Sequence, residues 1–206
     1  MEIASDALAY WFLRLNGFLT TVNFIVHPEF QRDTNTDVDI LAVRFPYRRE
    51  NLCRPMEDSS LLPLDPGRPL LFITEVKLGL CDLNGPWTRE DARNLHKVIS
   101  AIGIIPLPDA EKAAVSLQAT GTFDSDSVRA SLACIGARHN PRVAERYPGV
   151  PQIRWRDALE FIYTRFSAYR TEKAWNGQWD RDGSNLFQFA TASTLAEFRD
   201  GVRIIE

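Results

Sequence analysis

Residues 70–78 read LLFITEVKL, and this stretch restricts the fold more than any other part of the chain. Leu70, Leu71, Phe72, Ile73, Val76 and Leu78 form a nearly continuous apolar run, the pattern of a β-strand covered on both faces. Such a strand belongs at the centre of a sheet. Glu75 and Lys77 interrupt it, and being two apart they project from the same face. Burying a carboxylate and an ammonium costs several kcal/mol unless they pair or bind an ion. An active site offsets that cost; a Glu–Lys pair on a half-exposed edge strand is the competing reading. Twelve glutamates and four lysines in 206 positions give roughly 0.2 Glu-x-Lys triplets by chance, and the single one falls in the most apolar strand.

The flanking sequence predicts the other layers. Ser5–Asn16 places Leu8, Trp11, Phe12 and Leu15 at helical spacing, with Ser5 as N-cap and Gly17 as stop. Strands are expected over Phe18–His27 and Val38–Phe45, joined by a polar turn at Arg32–Thr36. Pro46–Pro69 carries five prolines besides Gly67 and several charges, and reads as an inserted loop with little structure of its own. A helix is expected over Thr88–Ile102, capped by Thr88 and Asp91, and a shorter one over Glu111–Ala119. A strand near Val128–Ile135 follows, then a short strand at Gln152–Trp155 and an amphipathic helix to Arg170. A turn at Gly183 and a helix near Thr194–Asp200 complete the chain. The order predicts an α/β sandwich with a central mixed sheet and a mainly helical C-terminal extension. Residues 1–140 form the core, with the insertion at about 46–69, and 141–206 pack on it within a single domain.

Composition narrows the function classes. Hydrophobic residues at 45% and charged residues at 25% are ordinary for a globular protein. No apolar run approaches about eighteen residues, so neither a membrane span nor a membrane partner is expected, and the N-terminus shows no cleavable signal. Cys53, Cys81 and Cys134 are too widely spaced for a zinc knuckle or a disulfide framework, which points to a cytoplasmic setting. His27, His96 and His139 share no motif spacing either. The net charge of -3 argues against a non-specific nucleic-acid coat protein, although carboxylates of an active site lower the total while a local patch stays positive.

Asp37 and Asp39 are again two apart on one strand face. Asp37 is equally well a turn acid at the strand entrance; Asp39 lies deeper. Asp39 and Glu75, with the backbone carbonyl of Val76, make a partial oxygen shell suited to magnesium, which retains several waters. With these residues in view, Asp39 followed by Glu75-Val76-Lys77 resembles the signature of the PD-(D/E)XK nuclease superfamily, with Val38 in place of its proline. The wider order is similar to small bacterial proteins related to archaeal Holliday-junction resolvases: Asp6 on the first helix, Gly17, Asn23-Phe24, Asp37-Val38-Asp39, then Glu75-Val76-Lys77. The likeness spans residues 5 to about 100. Two departures stand out: Asp6 is shorter than the usual glutamate, and the insertion lengthens the path from Asp39 to Glu75.

The resemblance implies a restriction-endonuclease-like fold and magnesium-dependent hydrolysis of phosphodiester bonds, with manganese as substitute. Asp39 and Glu75 would hold the ion, Lys77 would position water or stabilise charge, and Asp6 would assist. Nucleic acid, and DNA before RNA, is the implied partner, and since such folds often pair to cut both strands a homodimer stays open. Arg89, Arg93 and His96 or Lys97 would make a basic stripe on one helix, and Arg44, Arg48, Arg49 and Arg54 a cluster on the insertion; solvated charged surfaces explain both equally well. Trp175 and Trp179 suit base stacking or packing. The alternative function is a nuclease-like fold that has lost catalysis and binds nucleic acid or a protein.

Overall fold

The computed structural model describes residues 1–27, 36–88, 93–175 and 179–206. The elements are β1 (Glu2–Ala4), α1 (Ser5–Leu15), β2 (Leu19–Val26), β3 (Thr36–Arg44), β4 (Leu70–Val76), α2 (Asn94–Ile102), α3 (Leu107–Thr120), β5 (Thr122–Asp124), β6 (Arg129–Gly136), α4 (Pro141–Arg146), β7 (Gln152–Arg154), α5 (Trp155–Ala168), α6 (Arg170–Ala174), α7 (Arg181–Ala192), α8 (Leu195–Gly201) and β8 (Arg203–Ile205). The six-stranded sheet runs β2-β3-β4-β6-β5, with β7 also paired to β6. β2, β3 and β4 are antiparallel neighbours, whereas β4 and β6 are parallel, so the sheet is mixed. β5 pairs with Arg129–Ser131 and β7 with Cys134–Gly136, dividing the remaining edge of β6 between them.

All seven residues of β4 are buried, as its unbroken apolar run requires. Alternate side chains feed two cores. Leu70 and Phe72 join α1, α5, α7 and α8 through Leu8, Phe12, Ile162, Leu186 and Phe198. Leu71 and Ile73 join α2 and α3 through Val98, Ile99, Ala113 and Leu117. Helices therefore cover both faces, and the molecule is an α/β sandwich. The segment from 141 onward is built into it: β7 extends the sheet, and α5 and α7 supply much of the first core.

Neighbouring strands β2 and β3 exchange faces part-way along. Val22 and Ile40 belong to the core beneath α1, yet their next-but-one neighbours Phe24 and Val38 pack with the other. Asn23, at φ 52, sits between the register pairs Val22↔Ile40 and Phe24↔Val38, directly across from Asp39. One left-handed residue re-aims the side chains that follow it.

Several local expectations are corrected. Ser5 is the first helical residue rather than the cap, which is Ala4 without a side-chain bond, because β1 runs directly into α1. Thr88 does not open a helix; it closes a 3-10 turn over Gly85–Thr88, its hydroxyl donating to the Gly85 carbonyl. α2 starts only at Asn94, and Asp91, the expected capping partner, lies outside the described residues, as does most of the polar turn before β3. Gly183 is inside α7, not in a turn; a Cβ there would stand 1.9 Å from Trp11 Cζ2, so the glycine admits the indole. The last helix, expected near Thr194–Asp200, opens on a capping box that the structure reveals, with Thr194 and Glu197 bonding reciprocally.

The insertion contains no helix or strand but is held firmly. Arg165, fully buried on α5, donates to Glu50 at 2.9 Å, Asp58 at 2.8 Å and the Glu57 carbonyl at 3.0 Å. Arg44 meets Asp58 at 2.6 Å, Lys173 meets Glu50, and the Tyr169 hydroxyl donates to the Arg54 carbonyl. Leu62 is buried in the first core. Hydrogen-bonded charges thus supply the order that the proline-rich composition hides.

Candidate active site

β3 and β4 pair from Arg44↔Leu70 to Ile40↔Thr74 and then separate. The next residues along the same register are Asp39 and Glu75, so both carboxylates stand where the sheet forks. The fork leaves the Val76 N–H without a backbone partner on β3, and the Asp39 side chain takes it, Oδ2 accepting at 2.7 Å. This bond anchors Asp39 to β4 and leaves Oδ1 for other work.

Glu75 is only 4% exposed. Lys77 Nζ donates to its Oε1, while Oε2 is buried without a hydrogen-bond partner. A buried carboxylate oxygen with no donor is costly, and it is the kind of orphan that a cation or an ordered water satisfies. Burial pushes the Glu75 carboxyl up to about 7; the Lys77 contact opposes this, and the charges of Asp39 and Asp37 add to it. Burial also raises Asp39 above the ordinary carboxylate range, against the lowering effect of the Val76 N–H and Lys77. For Lys77 burial works to lower the ammonium, but the bond to Glu75 and the charges of Glu75, Asp39 and Asp82 outweigh it, and the group stays firmly protonated.

Asp6 approaches from α1. It is partly buried, and its pKa is raised by that burial first, then by Asp39, with Lys77 acting oppositely. The structure therefore groups Asp6, Asp39, Glu75 and Lys77 within electrostatic reach at one end of the sheet. Asp37 lies exposed at the rim. Among the described residues no three His, Cys, Asp or Glu side chains draw close enough to enclose a metal ion by themselves. The donor set is two carboxylates, with Val76 engaged through its N–H rather than through a carbonyl bond. That suits a hard cation that keeps most of its water better than one needing a closed cage.

Lys77 is fastened on both sides through its backbone. Its N–H donates to the Ile135 carbonyl at 2.9 Å, and its own carbonyl accepts from Trp155 Nε1 at 3.1 Å. Trp155 was readable only as the first residue of a helix; nothing in the sequence linked it to the Glu-x-Lys strand. Asn23 likewise gave no local signal of its left-handed backbone.

The basic residues are mostly occupied elsewhere. Arg44 is buried against Asp58, and Arg48 lies between Glu50 and Asp58, so neither offers a free charge to phosphate. Arg49 and Arg54 are exposed, Arg54 meeting Glu172 at 3.3 Å. Arg93 has φ 49 and pairs with Glu111 at 2.7 Å, so it stands before α2 rather than on a helical stripe with Lys97; Arg89 lies outside the described residues. Trp175 is 79% exposed, whereas Trp179 packs edge-on to Trp11 and Phe187. No protein-family model, curated protein or solved structure matches this chain.

Proposed function

We propose that the protein is a divalent-cation-dependent phosphodiester hydrolase, a nuclease of the PD-(D/E)XK, restriction-endonuclease-like type, with DNA as its substrate. The observation that carries the reading is Glu75: a carboxylate buried in an otherwise apolar central strand, one oxygen on Lys77 and the other without a partner. Structural ion pairs do not leave such an oxygen bare without cost.

Magnesium, with manganese as substitute, would be held by Asp39 and Glu75 together with the Val76 carbonyl, and when bound it supplies Lewis-acid stabilisation of the phosphate and an acidified water. The chain's own residues do the rest. Asp39, oriented by the Val76 N–H through Oδ2, would offer Oδ1 to the cation. Lys77 keeps its charge at neutral pH and stands beside Glu75, where it meets an attacking water or the negative charge that develops on the phosphate. Asp6 adds negative charge from α1. Because burial pushes the metal-free Glu75 carboxyl up to about 7, the cation competes with a proton, and binding strengthens as pH rises through that value.

Plasmid cleavage in magnesium tests the reading. Glu75→Ala and Lys77→Ala each lower the rate on the order of a hundredfold or more while the far-ultraviolet spectrum is unchanged; retained cleavage by either variant overturns the assigned roles. Manganese titration of the wild type and Asp39→Ala separates this reading from a non-catalytic binding module. Binding by the wild type alone supports the hydrolase, and binding by neither favours the module.

A further inference from the structure

Cys81 and Cys134 lie far apart in sequence, and the fold brings them together beside the candidate site. Cys134 on β6 is the register partner of Glu75 on β4, so the two side chains are neighbours on one face of a parallel pair. After Lys77 the chain runs on beside the end of β6, Leu80 bridging Arg138 in parallel: the Ala137 N–H donates to the Gly79 carbonyl at 2.7 Å, and the Cys81 N–H to the Arg138 carbonyl at 2.8 Å. This lays Cys81 across Gly136, two residues beyond Cys134 and on its face. Gly136 makes the room, since a Cβ there would stand 3.2 Å from Cys81 Sγ and 3.0 Å from the Cys81 nitrogen. The Cys81 sulfur is 3.7 Å from the Ile153 carbonyl oxygen and the Cys134 sulfur 3.9 Å from that of Pro151, carbonyls two residues apart on one segment. The two sulfurs therefore stand side by side over β6. Both are buried and neither is in a disulfide.

We propose that Cys81 and Cys134 are a thiol-oxidation site, a dithiol that closes to a disulfide under peroxide and thereby switches the adjoining carboxylate site off. Cys81, beneath the exposed residues Leu78, Gly79, Leu80 and Asp82, is the sulfur that peroxide reaches first and therefore the attacking one. As thiolate it takes one oxygen from hydrogen peroxide, giving a sulfenic acid and releasing water once the hydroxide is protonated. The Cys134 thiol then attacks the sulfenic sulfur, the S–S bond forms and a second water leaves. Two thiols and one peroxide become one disulfide and two waters; a small dithiol reverses the step by exchange. Access needs only the Leu78–Asp82 loop to lift, since Leu78, Gly79, Leu80 and Asp82 are exposed around Cys81. Bond formation draws the two sulfurs together to about 2.05 Å. The pull is transmitted to the segment directly after Lys77 and to the strand beside Glu75.

The oxidation itself is independent of the nuclease reading; the switching rests on it. Purified wild type and Cys53→Ser are treated with graded peroxide and analysed by intact mass and peptide mapping. Cys53 is exposed, so its modification in the wild type shows that the dose suffices. Cys53→Ser is expected to lose the mass of two hydrogens, with the Cys81 and Cys134 peptides linked and restored by dithiothreitol. An unchanged mass at a dose that modifies Cys53, or oxygen adducts without a link, overturns the proposal. Manganese affinity and plasmid cleavage are then compared for the reduced and linked forms. A fall in cleavage on the order of a hundredfold is expected, reversed by dithiothreitol and absent in Cys134→Ser and in Cys81→Ala, two variants so that one failing to fold does not end the test. Equal affinity and cleavage in both forms would overturn the switch. Reduced protein that neither binds manganese nor cuts would instead refute the nuclease reading, with the mapping still deciding the disulfide.

Discussion

Glu75 concentrates the tension of the site in one side chain. Its carboxyl is raised from 4.5 to about 7, chiefly by burial, so the neutral form is the one the metal-free fold prefers. The stabilising effect is complete below the unfolded value and is lost as pH rises through the folded one. A shift of that size corresponds to about 3 kcal/mol. Glu75→Gln in the presence of chelator should therefore gain stability relative to the wild type between pH 4.5 and about 7 and hold that advantage above. Urea denaturation along a pH series measures it, and a pH-independent difference would contradict the burial argument. Asp39→Asn is expected to act differently. An amide oxygen still accepts the Val76 N–H, so stability should change by less than about 1 kcal/mol while manganese affinity collapses in calorimetric titration. The Glu-x-Lys pair was legible because a charged doublet in an apolar strand is improbable without a purpose. Its connection to Trp155 and to the two buried cysteines was not, since these contacts cross long stretches of chain and leave no local pattern.

Elements were readable where one core side dictates the period and obscure where charge does the holding. α1, β4 and α5 announce themselves through apolar spacing. The insertion gave the opposite impression. Its prolines and charges suggest loose chain, yet Arg165 reaches into it from α5 with Glu50 and Asp58 on either side. Pairs across 115 and 107 positions cannot be inferred from composition. Arg165→Met should cost about 3 kcal/mol or more, because it leaves two inward carboxylates and the Glu57 carbonyl with fewer donors. Equilibrium unfolding gives the magnitude, and faster tryptic cleavage between 46 and 69 identifies the element released. An unchanged transition midpoint would show the network to be dispensable. The helix expected from Thr88 failed for a related reason: Arg93 adopts a left-handed backbone ahead of α2, a conformation that no propensity scale assigns to arginine.

At the scale of the molecule, the first core unites the two ends of the chain. β1 pairs in parallel with β8, and Phe198 and Val202 pack into the core that holds Leu8 and Phe12. Truncation after residue 193 should therefore damage the whole domain rather than remove an appendage, giving aggregated or protease-sensitive protein on expression; a stable, soluble fragment would contradict this. The left-handed residue in β2 bears on another property of the molecule. Among the described residues β2 has one partner only, and its sequence LTTVNFIV is uncharged and rich in β-branched residues, which is the composition of strands that recruit further copies of themselves into fibrils. The kink at Asn23 interrupts the straight ribbon of donors and acceptors that such growth requires. Asn23→Val should consequently shorten the lag before thioflavin-positive assemblies form in concentrated solution, making a residue that steers side chains also a guard of colloidal stability.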